Sequence, residues 1–123
     1  MNDKIKMELT KRDLDIMEIL WKHEEPIAAS EIQKEIPELS KNSILLILKR
    51  LLDKEYVYVA NISQNKKALM REFSPSVTKE EYLSSFMDTK TFIQLSASFI
   101  KQCDDMEVID RLQKEIDKKK QNR

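Results

Sequence analysis

The chain has no glycine in 123 residues, where average usage of roughly 7% would supply about nine. Every chemistry that needs bare backbone against a phosphate is thereby removed, the Walker loop and the dinucleotide-binding fingerprint included. Turns are constrained as well, because glycine is the residue that takes positive φ at no steric cost. That role must pass to asparagine, or the chain must use longer loops that avoid it.

Helix starts are legible because small polar residues recur where N-terminal amides need acceptors. Thr10 with Asp13 reads as a capping box variant, and Leu9 and Leu14 hold the two staple positions, so a first helix is predicted from Lys11. Leu14, Met17, Leu20 and Trp21 recur on one face, widened by Ile16 and Ile19, until Pro26 stops the helix. After a connector from Ile27 to Ala29, Ser30 and Gln33 form a second box ahead of the buried pair Ile32 and Ile36, and Pro37 closes that helix. Ser40 caps a third helix from Lys41 to about Lys54. Two short helices meeting across a Pro-Glu-Leu turn have the length of a helix-turn-helix.

The period then changes. Tyr56 to Ile62 and Ala68 to Phe73 are rich in β-formers and flank a polar stretch ending in Lys66 and Lys67, which predicts a hairpin with a basic tip. Asn61 or Asn65 is expected to supply positive φ there, or a longer loop to avoid it. Three helices followed by a hairpin make a winged helix, predicted over residues 1–76.

Pro75 ends the second strand, and Val77, Thr78, Glu81 and Tyr82 repeat the staple and box, starting a helix at Lys79. Tyr82, Phe86, Phe92, Ile93, Leu95 and Phe99 keep helical spacing through a break at Asp88 and Thr89. Asp104 or Asp105 then caps a last helix carrying Ile109, Leu112 and Ile116. Residues 77–123 cannot bury these faces alone, so a helical dimerisation arm is predicted, paired with a second copy by two-fold symmetry.

Charge is even overall, with 22 Lys/Arg and 22 Asp/Glu, but uneven along the chain. Residues 1–39 carry six basic against ten acidic side chains, whereas 40–75 carry seven against three. An anion-facing surface is expected in the second segment. Cys103 and His23 lie 80 positions apart, which leaves neither a disulfide framework nor a zinc cluster. The longest apolar run, Ile44 to Leu48, is five residues, far below the roughly 20 of a membrane span. The opening MNDKIKMEL lacks a signal-peptide core, so a cytoplasmic location is expected.

The third helix divides into a buried set, Ile44, Ile47 or Leu48, and Leu51, and an outward set, Asn42, Leu45, Leu46, Lys49 and Asp53. Asparagine and lysine can read base edges and a leucine can touch a thymine methyl, but two outward leucines carry no hydrogen-bond code. Phosphate contact is expected from Ser40, Lys41, Ser43 and the helix amides, from Lys49, Arg50 and Lys54, and from Lys66 and Lys67 on the wing. His23 reads as a cation at a helix C-terminus, and the methionines as fillers of core gaps. No carboxylate pair or activated thiol argues for an enzyme.

The order of these residues resembles the penicillinase and methicillin-resistance repressors, a family that includes copper-responsive members. The resemblance lies in Leu9, Asp13, Ile16-Met17 and Leu20-Trp21; in Ala29-Ser30-Glu31-Ile32; in Ser40, Ser43, Ile44, Arg50-Leu51 and Lys54; and in Phe73-Ser74-Pro75 with Glu81-Tyr82. It implies a dimeric repressor on a palindromic promoter site, released when a sensor's signal leads a regulatory protease to cut the arm. Relatives are commonly cut between Asn and Phe, which corresponds to Ser98 and Phe99 here. Relatives typically have polar, base-reaching residues where Leu45 and Leu46 stand. Copper-type members carry cysteine pairs that a lone Cys103 does not reproduce, so no metal or cofactor is expected.

The expected function is therefore a homodimeric repressor on double-stranded DNA, with half-sites roughly 34 to 36 Å apart and each head adding to the grip of the other. Two alternatives differ in class. One is a protein-binding module that uses Leu45 and Leu46 as an apolar patch. The other is a ligand-responsive regulator, for which no polar constellation argues.

Overall fold

A computed structural model describes the backbone of residues 9–65 and 68–122 and the side chains of all of these except 64, 65 and 68. The elements run α1 (Lys11–Lys22), β1 (Ile27–Ala28), α2 (Ala29–Glu35), α3 (Lys41–Asp53), β2 (Val57–Asn65), β3 (Ala68–Pro75), α4 (Lys79–Ser84), α5 (Thr89–Gln102) and α6 (Met106–Gln121). Most of the chain is helical, with a small antiparallel sheet in the strand order β1-β3-β2.

The caps follow the sequence closely. Thr10 Oγ1 accepts from the Asp13 amide at 3.1 Å and Asp13 Oδ2 accepts from the Thr10 amide at 3.4 Å, completing a box. Thr78 and Glu81 repeat it at 3.1 and 3.0 Å. Ser40, Asp88 and Asp105 cap α3, α5 and α6 with single side-chain acceptors.

The exception is α2, which begins at Ala29 rather than after Ser30. Ile27 and Ala28, expected as a connector, form β1 against Phe73 and Glu72, and that pairing fixes where the helix starts. Glu31 supplies half a box by accepting from the Ala28 amide at 3.4 Å. Gln33 instead donates to the Leu39 carbonyl at 3.3 Å, bracing the turn between α2 and α3.

Positive φ falls elsewhere than expected. Among the described residues it belongs to Glu55 (φ 64°), not to Asn61 or Asn65. Glu55 closes α3 in a Schellman motif, its amide donating to the Leu52 carbonyl at 3.0 Å and the Tyr56 amide to the Leu51 carbonyl at 2.9 Å. In the hairpin, Val59 faces Phe73 while Asn61 faces Glu72, so Ala60 is the extra residue of a β-bulge. That bulge gives the added twist without glycine.

The core gathers Ile16, Met17 and Leu20 of α1, Ile32 of α2, Ile44, Ile47, Leu48 and Leu51 of α3, and Tyr56, Phe73 and Tyr82. Each such aliphatic side chain contributes roughly 1.5–3 kcal/mol relative to exposure. Met17 is buried, but Met106 is exposed on α6 and fills no core gap.

The chain divides into two compact units, one ending at Phe86 and one beginning at Met87, ten residues beyond the expected boundary. The reason is α4. Tyr82 is buried with its hydroxyl accepting from the Leu9 amide at 3.4 Å, and its ring meets Trp21, Tyr56 and Phe86 at centroid distances of 5.8, 6.3 and 5.0 Å. Trp21 Nε1 donates to the Val77 carbonyl at 2.7 Å, tying α1 to the entry of α4.

Candidate nucleic-acid interface

On α3 the apolar spacing settles the faces. Ile44, Ile47, Leu48 and Leu51 are all buried, so Ile47 and Leu48 share the inward role. Asn42, Leu45, Leu46, Lys49 and Asp53 are exposed. Ser40 Oγ accepts from the Ser43 amide at 3.1 Å and donates to Ser43 Oγ at 3.0 Å, leaving the first turn's remaining amides directed off the N-terminal end.

Alongside α3 runs a half-open groove of about 800 Å³, walled by α3, the start of α2 and β3. Lys41, Lys49 and Arg71 line it, together with Ser30, over a floor that includes Leu48, Leu52 and Phe73. Among the described residues no carboxylate lines it. Arg71 and Ser30 are absent from the residues expected to face an anion. Arg71 was within reach of a period-two reading: Phe73 points into the core, so Arg71 and Leu69 share its side of β3, and Ile62 faces Arg71 across the ladder.

Arg50 is placed differently from its neighbours. Its Nη2 donates to Asp13 Oδ1 at 2.5 Å, and Lys54 Nζ stands 4.0 Å from Asp13 Oδ2. Burial by itself would raise the fully buried Asp13 carboxyl, but the hydrogen bonds from Arg50 and Thr10 outweigh it and hold the group below its usual range. The guanidinium expected on a phosphate is thus committed, at least on one nitrogen, to fixing α3 against α1. Lys66 and Lys67 lie outside the described residues.

The remaining candidates divide similarly. His23 stands at the C-cap of α1, and its ring pairs with Glu35, which Lys22 Nζ meets at 2.6 Å. These two contacts hold the Glu35 carboxyl below its usual range and join the ends of α1 and α2. Tyr82, expected on the dimer face, is core. Phe86 remains half-exposed beside it.

In the second unit, α5 and α6 contain no buried residue. Phe92, Ile93, Leu95, Phe99, Leu112 and Ile116 are exposed, and Ile109 is half-covered. The Ser98–Phe99 bond lies inside α5, one turn before its end, with the Phe99 carbonyl accepting from the Cys103 amide at 2.9 Å. Among the described residues no cluster of metal-ligating side chains occurs, and no helix is long and apolar enough to cross a membrane.

The capped third helix, the bulged hairpin and the three-stranded sheet define a winged helix-turn-helix protein. Solved structures of the same fold include a point mutant of S. aureus MepR bound to an oligodeoxyribonucleotide (14% identity, TM-score 0.53, 93% of this chain and 79% of that one). A different point mutant of MepR, from a multidrug-resistant S. aureus clinical isolate, aligns at 14% identity and TM-score 0.50, over 93% and 78%. PerR from Streptococcus pyogenes, which senses peroxide, aligns at 18% identity and TM-score 0.44 over 57% of this chain, which spans 48% of that one. No curated protein matches the sequence. The penicillinase repressor model matches residues 9–118, and the chain belongs to that family. It is a transcriptional repressor.

Proposed function

We propose that this repressor is a homodimer whose two heads lie on the half-sites of a palindromic operator. The observation that carries the reading is the groove beside α3, where Lys41, Lys49 and Arg71 converge with no acidic side chain among its described lining residues. Such a surface favours a polyanion, and a helix of α3's width fits the major groove while the wing follows the backbone. The oligodeoxyribonucleotide on MepR supports the same use of the fold. Pairing through the apolar faces of α5 and α6 accounts for side chains that one copy leaves in water, and raises the effective concentration of the second head.

Release by proteolysis at Ser98–Phe99 requires the last turns of α5 to open, because a protease needs extended backbone. Such a cut would detach α6 and weaken the pairing of heads.

The test is binding of the full chain to duplexes selected from a random pool, followed over a range of salt. Lys49→Ala and Arg71→Ala should each weaken binding and reduce the slope of log K against log salt by about 1. Unchanged affinity and slope in both variants would refute the assignment of this groove to DNA.

A further inference from the structure

Leu45 and Leu46 are adjacent in sequence, yet α3 sends them to different places. Leu45, 43% exposed, lines the groove with Leu48 and Leu52, across from Leu69 on the wing. Leu46, 64% exposed, belongs neither to that groove nor to the core. It stands in the row Asn42, Leu46, Lys49, Asp53, whose spacings of four, three and four place it diametrically opposite the buried Ile44, Ile47 and Leu51.

The neighbours in that row decide what Leu46 can meet. A protein-docking patch needs contiguous apolar area, whereas here an amide and an ammonium group flank the leucine, with a carboxylate one turn further on. The surroundings suit a partner that is polar and anionic with isolated apolar points. In the major groove the base edges offer one aliphatic group, the C5-methyl of thymine.

Resting on the DNA-binding reading above, we infer that Leu46 determines operator specificity by packing on a thymine methyl in each half-site. Asn42, one turn earlier, is placed for the hydrogen-bonding edge of a neighbouring base, and Lys49 for the adjoining phosphate. Recognition at this point is then by shape and apolar contact, and its contribution is insensitive to salt.

Replacing thymines one at a time by deoxyuridine in a duplex selected by the full chain removes only the methyl group and keeps every hydrogen-bonding atom. Affinity should fall about fourfold at one or two positions per half-site, the effect of one buried methyl group. Leu46→Ala should abolish that sensitivity, and Leu45→Ala should retain it; because Leu46 is exposed, the variant's helicity and melting temperature should match those of the parent.

Full affinity for the uracil-substituted duplex would overturn the inference, with or without any variant. So would an unchanged fourfold drop in Leu46→Ala. A parent chain that retained no duplex in dilute salt would instead bring down the DNA-binding reading itself, and with it this inference. Binding that ignores the methyl removes the inference alone.

Discussion

Arg50 illustrates how one side chain can be taken out of a surface by its partner. A guanidinium on a helix flank would ordinarily be free to meet a phosphate, but Asp13 is fully buried and must have its charge compensated. Arg50→Ala leaves that carboxylate with Lys54 at 4.0 Å and the Thr10 cap. The variant should lose about 1–3 kcal/mol of stability, readable as a lower urea midpoint, beyond any loss of DNA affinity. The pH dependence has a definite sign. Because the folded state holds Asp13 below its usual range, its contribution is complete above that range and is lost as pH falls below it, down through the lowered folded-state pKa. Urea midpoints between pH 5 and pH 3 should therefore drop less in Asp13→Asn than in the parent.

At the scale of elements, the lack of glycine is managed at two joints. The α3–β2 turn places Glu55 in the left-handed region, where a side chain costs roughly 1–2 kcal/mol. The other joint is the bulge at Ala60, which bends β2 without any positive φ. The helix caps are simpler. Thr78→Ala removes the acceptor for the Glu81 amide and should cost about 1 kcal/mol, and through α4 it loosens the Tyr82 ring from Trp21 and Tyr56.

For the molecule as a whole, the contrast lies between a head with a dense core and a second unit whose two helices bury nothing of their own. In the homodimer proposed above, a second copy would cover these apolar faces. Leu95→Glu with Phe99→Glu should convert a dimer into a monomer at micromolar concentration in sedimentation velocity, while the head's melting transition stays in place. Operator affinity should fall at least a hundredfold in the same variant, since two heads no longer share one site.

The helix starts at Lys11, Lys41 and Lys79, the hairpin, and the inward and outward faces of α3 are legible in the order of the residues. Each is written locally, in a cap three residues from its partner or in a period of 3.6 or 2, so no distant contact is needed to read it. Tertiary structure alone decided the start of α2, the place of Tyr82 in the head, the diversion of Arg50 to Asp13 and the addition of Arg71 to the groove. The second and third of these depend on which residues meet across 73 and 37 positions of chain. A buried charge or ring takes whatever partner the packed core brings to it, and that choice has no local signature.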